Sequence, residues 1–265
     1  MNFLKKILSH KAEEIRKRRE MCPEKELEEM IRSIAKPLSL EHALRGGNGL
    51  AIIAEMKKAS PSTGVLRSDF VPEQLAEAYA HAGAAALSVV TDEKFFMGSV
   101  EHIRQIRPIV RIPILQKDFI VHPYQIQEAR AFGADAVLLI VAALDRNILD
   151  ELLSAARSLR MDALVEVHSE KELELAANAG ARLIGINNRN LETLEVDLSV
   201  TERLAPMTPP GTTLVVESGI RSTADAQRMQ QVGAHALLIG THFMEATSPG
   251  QALKAFVKQA ASCFV

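Results

Sequence analysis

The sequence has little of what marks several common classes of protein. It contains only two cysteines, Cys22 and Cys263, which lie near opposite ends of the chain without metal or redox spacing. We expect two free thiols in a reducing cytoplasm. The longest apolar run, 136–144, is far short of the roughly 20 residues that cross a bilayer. The basic N-terminus is followed by no apolar signal core, so we predict a cytoplasmic protein without a membrane span.

Charge and signature motifs exclude further classes. The net charge of −2 and the pI near 6.5 give no electrostatic reason to expect nucleic acid or an anionic membrane as a partner. His-Glu-x-x-His and Gly-x-Ser-x-Gly are absent, which argues against zinc proteases and elbow-type hydrolases. Glu166 and His168 share a strand face, but no second pair at ligand spacing accompanies them, so we predict no metal and expect His168 to pack or hydrogen-bond at the rim.

A repeated unit of apolar strand, loop and amphipathic helix fills most of the chain. The composition is 47% hydrophobic and 24% charged, which suits a globular core, and 265 residues suit a single α/β barrel. Short apolar runs that alternate with helix-length segments predict parallel strands joined by crossover helices. The predicted strands are 50–56, 86–91, 112–117, 136–141, 163–168, 183–188, 213–218 and 236–241.

The crossover segments support a closed barrel. Helical periodicity predicts crossover helices that include 72–81, 123–132, 148–159, 170–179 and 224–232. A glycine that can adopt the left-handed conformation ends four of the helices, at Gly83, Gly133, Gly180 and Gly233. Eight strands close a (β/α)8 TIM barrel, and the alternative is an open doubly wound sheet. That alternative ordinarily has a glycine-rich dinucleotide turn after the first strand, where this chain has Lys57-Lys58-Ala59-Ser60-Pro61.

Helices precede the first strand. Apolar residues at helical spacing predict a surface helix over 3–19, a second helix that Pro23 opens and a short third helix over 39–45. We therefore predict one α/β domain over 1–265, with an N-terminal helical extension over 1–48 and the barrel over 49–265. The extension needs a surface of the barrel to cover.

Polar side chains gather where the predicted strands end, which is where barrel enzymes have their active sites. Lys117 alone fits a strand-end lysine that extends to solvent, but the other strand ends are polar too. Alternation places Glu55 with Lys57, and Lys117 with Phe119, on shared faces. Unpaired buried charges are costly, so the cluster must pair internally, bind a charged ligand or do both. A purely structural ring of salt bridges is the alternative. The candidates are Glu55, Lys57, Thr91, Asp92, Lys117, Glu166, His168, Asn187, Arg189 and Glu217.

The last two strand ends predict a phosphate site. Ser218 and Gly219 follow the seventh strand, and Gly240 and Thr241 end the eighth. Small residues there expose backbone N–H groups, which bind phosphate in many barrels. Either glycine taken alone fits an ordinary tight turn.

These residues resemble the indole-3-glycerol-phosphate synthase family, a (β/α)8 family of tryptophan biosynthesis. The resemblance covers nearly the whole chain, including the helical extension, which in the family partly covers the active site. It depends on six stretches, which are 55–61 (Glu-Met-Lys-Lys-Ala-Ser-Pro), 91–99 (Thr-Asp-Glu-Lys-Phe-Phe-x-Gly-Ser), 116–119 (Gln-Lys-Asp-Phe), 165–168 (Val-Glu-Val-His), 185–191 (Gly-Ile-Asn-Asn-Arg-Asn-Leu) and 216–220 (Val-Glu-Ser-Gly-Ile).

The resemblance implies a carboxy-lyase that needs no cofactor or metal. Its substrate is 1-(2-carboxyphenylamino)-1-deoxyribulose 5-phosphate, which is cyclised to indole-3-glycerol phosphate, CO2 and water. It implies that Lys117 is the general acid in ring closure and that Glu166 transfers a proton in dehydration. It further implies that Lys57 contacts the anionic groups of the substrate and shares the role of general acid, that Arg189 contacts polar substrate groups, and that the lysines and hydroxyls are oriented by Glu55, Asn187 and Glu217. The implied anthranilate pocket is lined by Ser60, Pro61, Phe96, Phe119 and Leu191. The implied phosphate-binding residues are Ser218, Gly219, Gly240 and Thr241.

The physical chemistry of the candidates agrees with these roles but leaves some points open. Ring closure at a carbonyl needs a proton donor at its oxygen. Burial and Lys57 lower the pKa of Lys117, whereas glutamates raise it, so the direction of the net pKa shift stays open. His242 departs from the family pattern after Gly240 and either adds a donor near the phosphate or faces solvent.

Two other functions compete with the synthase. One is a phosphate-binding barrel in which Lys117 forms a Schiff base. The other is a binding subunit without catalysis, which predicts erosion of the candidate residues where none is seen. We also expect the loop over 56–70 to act as a mobile lid. The expected partner is a phosphorylated small molecule, and the chain is expected to be a monomer or a weak homo-oligomer.

Overall fold

The computed structural model describes residues 3–47 and 49–262, and its strands form a closed parallel barrel. The first barrel strand pairs with both the second and the last, with Ala51 opposite Ala236 at the seam, so the predicted barrel is confirmed and the open sheet is excluded. Cys22 has a free thiol, while Cys263 lies outside the described residues. The strands are β1 Ala51–Met56, β2 Ala86–Val90, β3 Ile114–Lys117, β4 Ala136–Ile140, β5 Asp162–Val167, β6 Leu183–Asn187, β7 Thr213–Glu217 and β8 Ala236–Ile239.

The predicted strands are too long by one or two residues at most carboxyl ends. Val141 begins a 3-10 turn over Val141–Ala143 instead of ending β4. Ser218 has a φ of 66°, which no strand accommodates, and Thr241 begins a helix. Thr91, His168 and Asn188 likewise follow their strands. The apolar pattern continues past the last ladder hydrogen bond, but the backbone turns away there to build the barrel mouth.

The crossover helices agree with the predicted ones to within one or two residues at their ends. Gly83, Gly133, Gly180 and Gly233 all have positive φ, as predicted. Several further helices, among them 93–96, 101–106 and 241–244, are too short for a helical period to be visible in the sequence, and they were not predicted. Within the described residues, no helix is both long and apolar enough to cross a membrane. The helices after β1 are α4 Pro72–His81, α5 Glu93–Phe96, α6 Glu101–Ile106, α7 Pro123–Ala131, α8 Arg146–Ser158, α9 Glu170–Asn178, α10 Ser199–Leu204, α11 Thr223–Gln231, α12 Thr241–Met244 and α13 Pro249–Ser262.

The N-terminal extension holds the barrel at both ends. Its helices are α1 Phe3–Met21, α2 Glu24–Ser33 and α3 Leu40–Arg45. α1 lies over the carboxyl ends of β2 and β3, and α2 packs along α7. α3 lies at the opposite end, where Leu40 and Leu44 join the apolar interior of the barrel. The extension therefore covers the mouth, one flank and the base.

Alternation along the strands divides the core into two layers. Outward-facing strand residues pack beneath the surrounding helices, as Ile52 and Leu87 do. Inward-facing residues such as Ile53, Leu115 and Leu164 fill the barrel. The same alternation continues to the carboxyl ends of the strands, so the inward positions there become the lining of the barrel mouth.

Candidate active site

The carboxyl ends of the strands surround an open cavity of about 870 Å³. A smaller space of about 100 Å³ adjoins it beneath α1 and the loop that follows β1. Every residue to which the family resemblance assigns catalysis, substrate binding or phosphate binding lines one of these two spaces, whereas the strand-end candidates Thr91 and His168 line neither. The larger one is lined by Glu55, Lys57, Phe96, Lys117, Phe119, Glu166, Asn187, Arg189, Leu191, Glu217, Ser218, Gly219, Gly240 and Thr241, and the smaller one adds Ser60 and Pro61.

Lys117 is the centre of the charged cluster. Its Nζ donates hydrogen bonds to Glu166 Oε2 at 3.0 Å and to Glu217 Oε2 at 2.9 Å. Burial by itself lowers the pKa of Lys117, but the charges of Glu166, Glu217 and Glu55 outweigh burial and raise that pKa above the ordinary value for lysine. Lys117 is therefore a charged ammonium group with protons to donate. The acidic neighbours therefore decide the direction of the pKa shift of Lys117, which the sequence left open.

Glu55 and Lys57 face the same cavity from β1. Lys57 Nζ donates to Glu55 Oε2 at 2.5 Å. Burial raises the pKa of Glu55, but Lys57 and Lys117 reverse the effect and hold it below its ordinary value. Glu55 also explains the glycine at position 240, because a Cβ there would overlap the Glu55 carboxylate. Gly240 thus leaves room for Glu55, a requirement that the sequence analysis did not identify.

Both carboxylate oxygens of Glu166 have partners. Lys117 binds Oε2, and Asn187 Nδ2 donates to Oε1 at 3.0 Å. His168 Nε2 makes an ion-pair contact with Oε1 at 3.2 Å. Burial raises the pKa of Glu166, but Lys117, His168 and Asn187 together bring it below its ordinary value. Glu166 is therefore an ionised carboxylate.

His168 bridges two carboxylates. Its Nδ1 lies 3.1 Å from Glu172 Oε2, and its Nε2 faces Glu166. Burial lowers the pKa of His168, but its contacts with Glu166 and Glu172 raise it to about 10. The ring is an imidazolium at neutral pH. Both ring nitrogens face carboxylates, so His168 hydrogen-bonds at the rim as the sequence predicts.

Glu217 shares Lys117 with Glu166 but has a different protonation behaviour. Burial raises the pKa of Glu217, the charge of Lys117 opposes this, and the charge of Glu166 adds to it, so that the pKa reaches about 7. A carboxyl with this pKa exchanges protons readily near neutral pH. Gly185 on β6 makes room for it, because a Cβ at 185 would overlap Glu217 Oε1. The only sequence signal for Gly185 is a glycine inside a strand, which often marks a close approach.

Phe96 and Phe119 form an aromatic wall at one end of the cavity. Their ring centroids lie 6.3 Å apart with 37° between the ring planes. Leu191, Pro61 and Ile7 complete the smaller space beside them. These apolar side chains suit a flat ring, and Lys57, Ser60 and Arg189 line the same space.

Arg189 borders both the space beside the aromatic wall and the larger cavity that contains the charged cluster. Its backbone N–H donates to Asn187 Oδ1 at 3.0 Å, and its Nη1 donates to the carbonyl of Leu194 at 2.8 Å. Burial lowers the pKa of the Arg189 guanidinium. The side chain is held in place by these contacts and lines both spaces.

The predicted phosphate residues line the larger cavity where β7 and β8 end, and Thr241 also borders the smaller space. Ser218 and Gly219 both have positive φ, 66° and 88°, so the chain turns sharply after β7. Asn188 Nδ2 donates to the Ser218 carbonyl at 3.1 Å and holds this turn. A Cβ at Gly219 would meet Leu198 and Val196 at 2.8 Å, so only glycine fits there.

Two residues without an assigned role accompany the phosphate candidates. Arg221 and His242 both line the larger cavity. Arg221 brings a positive charge to the end that Gly219 and Thr241 line. His242 is half-buried, with its ring 5.4 Å from Phe243 and 5.9 Å from Phe256. His242 therefore lines the cavity rather than facing only solvent.

The loop between β1 and α4 folds into a short hairpin over the site. Ala59–Ser60 pairs antiparallel with Gly64–Val65. At the base of the hairpin, Arg67 Nη1 donates to the carbonyls of Met244 and Ala246, both at 3.1 Å. The loop is thereby tied to the end of α12, whose first residue lines the cavity. Its mobility stays a prediction.

Comparison with known proteins identifies relatives along almost the whole chain. The family model for indole-3-glycerol phosphate synthase matches residues 4–256. A protein of that name from Carboxydothermus hydrogenoformans is 46% identical over 259 residues, which cover 95% of this chain and 98% of the relative. One from Dehalococcoides mccartyi is 45% identical over 242 residues, or 90% of this chain and 93% of the relative.

Solved structures support the fold. The crystal structure of KGPDC from Streptococcus mutans superposes with a TM-score of 0.61 at 13% identity, covering 81% of this chain and 99% of that one. A mandelate oxidase mutant gives a TM-score of 0.58 at 16% identity over 82% of this chain and 74% of that one. At these identities the similarities show the fold alone. The family model and the close relatives go further, and the chain belongs to the indole-3-glycerol phosphate synthase family.

Proposed function

We propose that this cavity cyclises 1-(2-carboxyphenylamino)-1-deoxyribulose 5-phosphate to indole-3-glycerol phosphate, with release of CO2 and water. The observation that carries the proposal is the charged Lys117, held by Glu166 and Glu217 between an aromatic end and an end lined by small residues. A substrate with an aryl carboxylate at one end and a phosphate at the other fits this order. The enzyme is a carboxy-lyase of tryptophan biosynthesis.

The substrate lies across the cavity in this proposal. Its aryl ring contacts Phe96 and Phe119, with Ser60, Pro61 and Leu191 around it. Its phosphate binds the peptide N–H groups of Ser218, Gly219, Gly240 and Thr241, and Arg221 adds a charge there. Lys57 and Arg189 face the carboxylate and the sugar hydroxyls. These anchors bring the ring carbon close to the ketone and supply the proximity that ring closure needs.

Ring closure begins at the ketone. The ring carbon that bears the carboxylate adds its electron pair to the carbonyl carbon, and the carbonyl oxygen takes a proton from Lys117. The carboxylate then leaves as CO2, and its bonding electrons restore the aromatic ring. Glu166 and Glu217 hold the Lys117 ammonium in place, and Glu55 holds Lys57.

Dehydration completes the indole. The new hydroxyl leaves as water after it gains a proton, and the neighbouring carbon loses one to a base. Glu166 is ionised and transfers a proton at this stage. Asn187 orients Glu166, and Glu217, with a pKa of about 7, exchanges protons with Lys117.

We further propose that residues 1–265 act as one domain in the cytoplasm. The free thiol of Cys22 suits a reducing compartment. The extension contacts the mouth, flank and base of the barrel, which supports a single folding unit. A phosphorylated small molecule is the partner, and a monomer or weak homo-oligomer is the assembly that we expect.

The first test is the rise of indole fluorescence when the protein meets the carboxyphenylamino-deoxyribulose phosphate. We expect Lys117→Ala to lower kcat roughly 10²–10⁴-fold, because the general acid is lost. Lys58→Ala is the control, since Lys58 is the neighbour of Lys57 but does not line the cavity. Equal loss in both variants would argue against Lys117 as the acid.

Two other outcomes would redirect the proposal. No fluorescence from wild-type protein that still binds inorganic phosphate would indicate a different barrel substrate or a binding subunit. A lysine adduct trapped by borohydride would indicate Schiff-base chemistry. The raised pKa of Lys117 opposes that route, because a charged ammonium group is not a nucleophile.

A further inference from the structure

Lys11 of α1 is a lysine with no exposed surface, an uncommon position for a side chain of this type. Its Nζ lies 2.7 Å from Asp118 Oδ1, 3.0 Å from Asp92 Oδ2 and 3.0 Å from Glu14 Oε1. Burial by itself lowers the pKa of Lys11, but these three carboxylates raise it above its ordinary value. Lys11 is therefore a buried charge surrounded by opposite charges.

Asp118 connects Lys11 to Phe119, one ring of the aromatic wall. Its Oδ1 accepts a hydrogen bond from the Phe119 backbone N–H at 2.7 Å. Its Oδ2 accepts from the Thr91 hydroxyl at 2.6 Å, and Gln116 Nε2 donates to the same hydroxyl at 2.9 Å. Asp118 thus fixes the backbone at the end of β3, between the general acid and the aromatic ring.

Asp92 connects Lys11 to Phe96, the other ring of the aromatic wall. Its Oδ1 accepts from the Phe95 backbone N–H at 2.7 Å and caps α5. Phe96 is the last residue of that short helix, and its ring faces Phe119. A helix of four residues has few hydrogen bonds of its own, so its direction depends strongly on this cap.

We propose that Lys11 is a positioning residue that sets the spacing of Phe96 and Phe119 by holding Asp92 and Asp118 together. The inference rests on the proposed function, since these rings form the aromatic end of the substrate pocket. Lys11 does not line either cavity and acts only through the two aspartates.

Apolar side chains also anchor α1. Ile15 of the same helix is buried against Leu27, Tyr124 and Ala131, and Ile7 is also buried. Burying a lysine carries a large desolvation cost, which an apolar side chain at this position would avoid. The charge is explained by its partners, because two of the three carboxylates go on to hold the backbone that carries the aromatic rings.

The test compares Lys11→Met with Ile15→Ala. Lys11→Met removes the charge between the aspartates, and we expect KM for the substrate to rise at least tenfold. Competitive inhibition by anthranilate, a probe of the aromatic end, should weaken by a similar factor. Inhibition by inorganic phosphate, a probe of the other end, should change less than twofold. Ile15→Ala weakens the docking of α1 without touching the aspartates, and it should leave all three constants within about twofold of wild type.

Three results would overturn the inference. They are an unchanged KM in Lys11→Met, an equal loss of anthranilate and phosphate inhibition, or the same pattern in Ile15→Ala. If Lys11→Met does not fold, Lys11→Gln keeps a hydrogen-bond donor, one bond closer to the backbone, without the charge and must shift the constants in the same direction. Lys11→Arg keeps the charge and should stay closer to wild type than Lys11→Gln does.

The outcome can be separated from that of the proposed function. Should wild-type protein form no indole product, the synthase proposal fails. Direct binding of anthranilate and inorganic phosphate to wild type and to Lys11→Met would still measure whether Lys11 shapes the aromatic end. Selective loss of anthranilate binding supports the positioning role, and unchanged binding of both probes refutes it.

Discussion

Three carboxylates, Glu55, Glu166 and Glu217, meet two lysines and His168 at the barrel mouth. Their protonation follows from the contacts of each residue rather than from residue type. Glu166 has three cationic or amide partners and stays ionised, whereas Glu217 shares a single lysine and has a pKa of about 7. Groups with pKa values pushed apart in this way are suited to divide acid and base roles.

At the residue scale, His168 should make stability depend on pH. Its pKa rises from 6.5 to about 10 on folding, so the charged ring stabilises the folded state. The contribution is fully present below pH 6.5, falls as pH rises from 6.5 and is lost above about 10. We expect His168→Gln to lower the free energy of unfolding by on the order of a few kcal/mol at pH 6, and by much less at pH 10.

Urea unfolding of wild type and His168→Gln between pH 6 and pH 10 checks this dependence. His81→Gln is the control, because His81 is an exposed residue at the end of α4. A difference between wild type and His168→Gln that stays constant across this range would contradict the prediction.

At the element scale, alternation along each strand decides which side chains reach the mouth. Inward positions are apolar in the lower barrel and charged at the carboxyl ends, as Ile53 and Glu55 are on β1. The strand β6 contributes Asn187 and Gly185 from the same face. Gly185 contributes space, because it faces the Glu217 carboxylate across the β6–β7 ladder.

Gly185→Ala should therefore displace Glu217. The added Cβ forces the carboxylate away from Lys117, so we expect kcat to fall at least tenfold while the barrel is destabilised by roughly 1–3 kcal/mol. The measurement is steady-state kinetics together with thermal unfolding. Gly47→Ala is the control, since nothing lies within 4 Å of a Cβ added there.

A double variant distinguishes this mechanism from general strain in β6. If Gly185→Ala acts through Glu217, it should lower activity little further in a Glu217→Ala background. Full additivity of the two effects would instead indicate that the alanine disturbs the strand itself.

At the scale of the whole molecule, the N-terminal extension has a different role at each end of the barrel. At the mouth, Lys11 bridges the loops after β2 and β3. At the base, Leu40 and Leu44 complete the apolar interior, and Arg45 Nε donates to Thr213 Oγ1 at 2.7 Å. Residues at the base of such barrels serve stability, whereas those at the mouth serve chemistry.

Leu44→Ala should reduce stability without changing catalysis. Leu44 is 2% exposed, and truncation of a buried leucine costs roughly 2–5 kcal/mol. We expect a lower urea midpoint but kcat and KM within about twofold of wild type at a temperature where the variant is folded. Leu38→Ala, at a position that is 40% exposed, should change the midpoint much less. A tenfold loss of kcat/KM in folded Leu44→Ala would refute this division of roles.

The sequence by itself determined the barrel and the set of residues at its mouth. The apolar repeats and the glycines at helix ends are local signals, and alternation tells which strand residues share a face. Those signals are enough to place Glu55, Lys57, Lys117, Glu166 and Glu217 together at one end of the barrel. They do not report where the backbone leaves the ladder, which is why strand ends such as Thr241 were misplaced.

Only the tertiary structure decided the contacts between distant segments. The raised pKa of Lys117 depends on residues from three other strands, so no local pattern could set its direction. The space that Gly185 and Gly240 leave for Glu217 and Glu55 is likewise a contact between strands. In the sequence, Lys11 is one of several cationic residues on a predicted amphipathic helix. It is a buried charge only because packing places α1 over two aspartates far from it in the chain.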